Sequence, residues 1–105
     1  MENPMPRIIK TPIIAMYHDD KHENLTIEIE LPDVKGEHIS LVMHENSFYI
    51  KAFSETVEYL GSFFLDGPVD PREAVAINNE GMLTIKVPYK GGFECARYIP
   101  INQKT

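Results

Sequence analysis

Residues 24–33 read Asn-Leu-Thr-Ile-Glu-Ile-Glu-Leu-Pro-Asp. In an extended chain, Leu25, Ile27, Ile29 and Leu31 fall on one side, and Thr26, Glu28 and Glu30 on the other. That period of two predicts a strand with one face in a core and one in water. A helix would scatter the same four apolar side chains around its axis. Pro32 closes the run where a missing backbone donor does least harm.

The same period extends outward from this strand. It starts near Ile13 and returns in Ile39, Leu41 and Met43, in Phe48, Ile50 and Ala52, and in Val57, Tyr59, Phe63 and Leu65. Its last appearance is Leu83, Ile85 and Val87, closed by Pro88. Turn formers separate the runs: "HDDKHEN" at 18–24, "PDVKGE" at 32–37, "HENS" at 44–47, "DGPVDP" at 66–71 and "NNEG" at 78–81. Short strands at this spacing predict an all-β, antiparallel sandwich. No ten-residue segment has a helical period, and "VDPREA" at 69–74 suits one short turn. Residues 1–12, with three prolines, read as a short flexible arm in which Ile8 and Ile9 have no partner pattern. The expected division is this arm, a sandwich over 13–88 and a tail over 89–105.

Composition narrows the function. The 105 residues suffice for one domain with a real core, and 43% hydrophobic with 25% charged is ordinary for a folded chain. A net charge of −6 without a basic cluster predicts no nucleic-acid partner. No apolar run approaches a membrane span and the first residues lack a signal-peptide core, so neither a membrane partner nor secretion is expected. Cys95 is the one cysteine, which excludes an internal disulfide and suits a reducing cytoplasm.

Candidate chemistry is sparse. His18, Asp19, Asp20, His22 and Glu23 cluster in sequence, but adjacent residues at a hairpin tip cannot all face one ion. The expectation there is a solvated turn and no metal, with His38 and His44 as exposed strand-end residues. Cys95 has no neighbouring histidine, and no serine sits between glycines in a nucleophile elbow. "YKGGFE" lacks the spacing of a phosphate loop. No catalytic residue and no cofactor are expected.

Four segments carry a family resemblance. Ala76-Ile77-Asn78-Asn79-Glu80-Gly81-Met82-Leu83 resembles the Ala-x-x-x-Asn-Gly-Val-Leu signature of the alpha-crystallin domain of small heat-shock proteins. Gly81 is where a tight turn between strands needs positive φ. "LTIEIELPDVKGEHISL" and "FFLDGPVDPREAVA" are similar to the family's strand, Leu-Pro turn and Val-Asp-Pro segments, so the resemblance spans about residues 13–88. Ile99-Pro100-Ile101 matches the family's Ile-x-Ile tail motif. The resemblance implies an immunoglobulin-like β-sandwich and an ATP-independent holdase chaperone that binds partly unfolded proteins and assembles with itself. The alternative is a co-chaperone or adaptor of the related CS-domain type, docking one defined partner.

The sequence departs from the family at the dimer contact. Only "SETV" separates Phe53 from Glu58, too little for the strand that many microbial members exchange between subunits. Gly61 and Phe64 stand where arginines are typical, and Asp66 where proline is common. Leu60 and Phe64 then make the second face of residues 57–65 apolar, which predicts a dimer edge. The other reading buries Phe64 under the N-terminal arm.

Ile99 and Ile101 point the same way in an extended tail, and Pro100 pre-orders it. Such a two-pronged plug suits a groove beside a sheet edge. By resemblance that groove runs between the strands holding Leu41 and Met43 and those holding Val75 and Ile77. Burying two isoleucines contributes about 3–6 kcal/mol at most. Ordering the tail, at about 1–2 kcal/mol per residue, offsets much of it. The expected contact is a reversible latch, within one chain or between two.

Overall fold

The computed structural model describes residues 6–91 and 99–104. Its strands are β1 (Ile8–Lys10), β2 (Ile13–His18), β3 (Asn24–Glu30), β4 (Ile39–Met43), β5 (Ser47–Phe53), β6 (Val57–Phe64), β7 (Val75–Asn79) and β8 (Met82–Pro88). They form two four-stranded sheets, ordered β1-β6-β5-β4 and β2-β3-β8-β7. Every pairing is antiparallel except β1 with β6, which is parallel. Single 3-10 turns at Gly36–His38 and Pro71–Glu73 are the helical elements among the described residues, the second falling inside "VDPREA".

The alternation read from the sequence sets what is buried. Leu25, Ile27 and Ile29 of β3 stand opposite Val87, Ile85 and Leu83 of β8, and all six are in the core. Phe48, Ile50 and Ala52 of β5 close the core from the other sheet. Gly61, opposite Ile50, leaves room for the Phe63 ring, since a Cβ there would lie 2.6 Å from that ring. The space that a longer side chain would need on β6 is already taken.

The N-terminal segment differs from its expected state as a loose arm. Ile8, Ile9 and Lys10 form β1, in register with Val57, Glu58 and Tyr59. A parallel addition to a sheet edge uses backbone bonds and demands no side-chain pattern, so the alternation could not reveal it. Both isoleucines remain largely exposed.

Two turns fix the register. At 18–24 the Asp19 carboxylate accepts the Glu23 and Asn24 amide protons at 2.7 and 3.3 Å and the Asn24 side-chain amide at 3.2 Å. Between β7 and β8, Glu80 and Gly81 both take positive φ, 50° and 81°, as a two-residue primed turn requires. Leu31 N–H donates to the Gly81 carbonyl at 2.7 Å, and a Cβ on Gly81 would sit 3.4 Å from Pro32 Cα. Gly81→Ala is expected to lower unfolding free energy by about 1–2 kcal/mol, the left-handed penalty for a side chain. Glu80→Asn, which eases the other left-handed position, is expected to raise it by about 0.5–1 kcal/mol. Urea titration of both variants checks the pair, and equal midpoints would refute the turn assignment.

Candidate functional site

The sandwich ends sideways in two edge strands, β4 of one sheet and β7 of the other. Between them runs an open groove of about 330 Å³ lined by Gly36, Ile39, Leu41, Ala76, Asn78 and Leu83. Ile39 and Leu41 come from the inward side of β4, and Leu83 from β8 behind it. Four of the six lining residues are apolar side chains, polar groups make up about half of the exposed lining, and no lining residue is titratable. The groove therefore offers extended segments a surface and two strand edges.

Of the four side chains expected here, Leu41 lines the groove. Met43, two residues on, packs against the core as Leu41 also does, but does not line the groove. Val75 and Ile77 lie opposite Lys86 and Thr84 on the outer face of their sheet, 58% and 62% exposed. Ala76 and Asn78 take the places assigned to them. In a strand, a shift of one residue moves every side chain to the other face, and the bulkier apolar pair had suggested the wrong parity. The correct parity was available in the sequence. A two-residue turn at Glu80-Gly81 sets Asn78 opposite Leu83 and Ala76 opposite Ile85, so the inward pair on β8 forces the inward pair on β7.

Asn78 is the one polar side chain in the lining. Its Nδ2 donates to the Val34 carbonyl at 3.3 Å, while Oδ1 is buried without a donor among the described residues. The other surface singled out by the sequence, the outer side of β6, carries Leu60 half-buried and Phe64 88% exposed. Phe64 therefore does not lie under the N-terminal segment. The tail residues Ile99 and Ile101 are 82% and 90% exposed.

The remaining candidates have structural partners. The His18 and His22 rings meet at 3.8 Å between centroids, tilted by 32°, and the Asp19 oxygens serve the turn. No group of three or more potential metal ligands is found among the described residues. His44 is exposed, whereas His38 is half-buried, stacked 4.4 Å from the Phe53 ring. Cys95 lies outside the described residues. A cavity of about 480 Å³ at the β5–β6 hairpin mixes Arg7 and Lys35 with Asp33 and Glu55, and its aromatic wall, Phe53, is covered by Arg7 and His38. No helix of the described residues is long and apolar enough to cross a membrane.

Compared by sequence, the chain matches no family model and no curated protein. Compared by shape, it is similar to several solved structures. Heat shock protein 16.0 from Schizosaccharomyces pombe superposes with a TM-score of 0.68 at 17% identity, over 89% of this chain and 99% of that one. A point mutant of hsp14.1 from Sulfolobus solfatataricus P2 gives 0.65 at 20% identity, over 87% and 78%. A small heat-shock protein from Xylella fastidiosa gives 0.65 at 17% identity, over 90% and 98%. The segments that resemble the alpha-crystallin domain in sequence thus lie in a structure of that shape, and the chain has the β-sandwich fold of small heat-shock proteins.

Proposed function

We propose that the protein is an ATP-independent holdase of the small heat-shock protein type, working in the cytoplasm and binding partly unfolded proteins so as to limit their aggregation. The observation that carries this reading is the groove between the β4 and β7 edges, open along its length in a chain of this fold. An unfolding protein presents extended stretches with apolar residues two apart, and such a groove accepts them without needing a defined sequence. Contacts of this kind are weak singly and gain strength when several act on one client.

The test is light scattering of an aggregating test protein, with and without this one. Suppression near stoichiometric ratios, unchanged by ATP, is the expected result. Ala76→Arg, which fills the groove from an exposed position, should weaken suppression while leaving the fold intact. No suppression by the native chain would end the holdase reading.

The tail is proposed to dock in the groove of a second chain, as a latch that competes with client. In support, Ile99 and Ile101 stand exposed on a segment whose spacing fits a strand-edge groove. Replacing both by Gly should lower the solution mass toward the dimer and raise binding of a hydrophobic dye. A double variant unchanged in both measurements would show that these residues dock nowhere.

The dimer contact is proposed to be the outer edge of β6, with Leu60 and Phe64 against their symmetry mates. A phenyl ring 88% exposed, beside a stretch of strand that no other described strand pairs on its outer side, supports it. Phe64→Asp should give folded monomers, because it removes apolar contact at the axis and disturbs nothing in the core. A variant that stays dimeric by sedimentation would move the interface elsewhere.

A further inference from the structure

Strand β1 lies on the same edge that a second copy would use. Along its other side β6 pairs with β5. Ser54 N–H donates to the Val57 carbonyl and Leu65 N–H to the Asn46 carbonyl, each at 2.8 Å. Odd-numbered residues of β6 therefore turn their backbone groups toward β5, and Thr56, Glu58, Leu60, Ser62 and Phe64 turn theirs to the far side. On that far side β1 reaches from Val57 to Tyr59, and Ile8 N–H donates to the Thr56 carbonyl at 2.9 Å. In this register Ile8 and Lys10 face β6 with their backbone groups, while Ile9 turns its own away. The chain then leaves through buried Pro12, which passes Gly61 on its way to β2. Among the described residues, no strand pairs with Ser62 and Phe64 on that side.

We propose that β1 is a displaceable strap that limits pairing of β6 with a second copy of this chain. With the strap in place, the Ser62–Phe64 end alone is available. With it released, Thr56 to Phe64 forms one antiparallel ladder across a two-fold axis. This inference rests on the dimer-edge reading above.

The strap is held lightly. It spans three residues, and its isoleucines are 62% and 65% exposed, so little apolar area pins it. Its anchor is Arg7, whose Nε donates to the Ser54 carbonyl at 2.9 Å and whose guanidinium stands 4.6 Å from the Phe53 ring centroid. A second copy fits the released edge because both chains then present the same even-numbered residues. Any register pairing even with even satisfies the backbone of both copies together, and the one that sets Leu60 opposite the second copy's Phe64 also brings the two apolar pairs together.

Sedimentation of the full chain over a range of concentrations tests this. Arg7→Ala with Lys10→Pro removes the anchor and one strap donor, and should tighten dimerisation by about tenfold or more. Ile9→Pro deletes an N–H that faces away from β6 and should change it by less than about twofold. Arg7→Ala alone, which leaves the backbone untouched, should shift association in the same direction by a smaller factor. Phe64→Asp added to the released strap should return monomers. Unchanged or weaker dimerisation in both Arg7 variants, with Phe64→Asp still monomeric, would overturn the strap and leave the edge standing. A Phe64→Asp single variant that remains dimeric would instead remove the edge reading, and the strap with it.

Discussion

The pairing of β3 with β8 is the constraint on which the rest depends. Leu25, Ile27 and Ile29 against Val87, Ile85 and Leu83 make a buried rectangle that a slip of one residue would turn into water. Once that register is set, the two-residue turn at Glu80-Gly81 leaves β7 no choice of face. Ala76 and Asn78 must look inward, and Val75 and Ile77 outward. The groove is thus a consequence of the core, and its floor is small because the inward residues of β7 are small.

A sandwich of two open sheets has four edges, and this chain treats them differently. The β4 and β7 edges stand side by side and enclose the groove. The β6 edge is half covered by β1, and beside Phe64 no other described strand pairs with it. Exposed strand edges are templates for unwanted pairing, and a short added strand is an economical way to restrict one. The Tyr89 hydroxyl, donating to Asp66 at 2.8 Å, and the Lys90–Glu45 ion pair at 2.9 Å tie the end of β8 to neighbouring loops. Burial and the Asp66 carboxylate hold the Tyr89 phenol above its ordinary range. The tail therefore departs from a fixed point.

Most of the architecture was legible because antiparallel strands with one wet face write their period into the sequence. β3, β5 and β8 alternate without exception, and their burial follows residue by residue. What escaped belongs to interactions that leave no period. Ile8 and Lys10 pair with β6 through backbone groups while Ile8 and Ile9 keep their side chains exposed, so this segment reads as part of an arm. Val75 and Ile77 resemble core residues in type, yet they sit on an edge strand whose outer face is wet. Size misled there, and parity counted back from Gly81 would have corrected it. Asn78 was invisible as a groove residue for the same reason, since a polar side chain on an inward position contradicts the pattern that identifies inward positions.

The outer face of the β2-β3-β8-β7 sheet shows how apolar surface and wetting are reconciled. Ile13 and Tyr17 lie exposed on β2, and Val75 and Ile77 on β7, at opposite margins of the sheet. Between them the central strands present Thr26, Glu28, Glu30, Thr84 and Lys86, with the apolar Met82 among them. A continuous apolar patch would invite association face to face, which has no fixed register and no natural limit. Splitting it with charge leaves the exposed apolar side chains at the two margins of the sheet, on the edge strands β2 and β7, where they cannot merge into one patch.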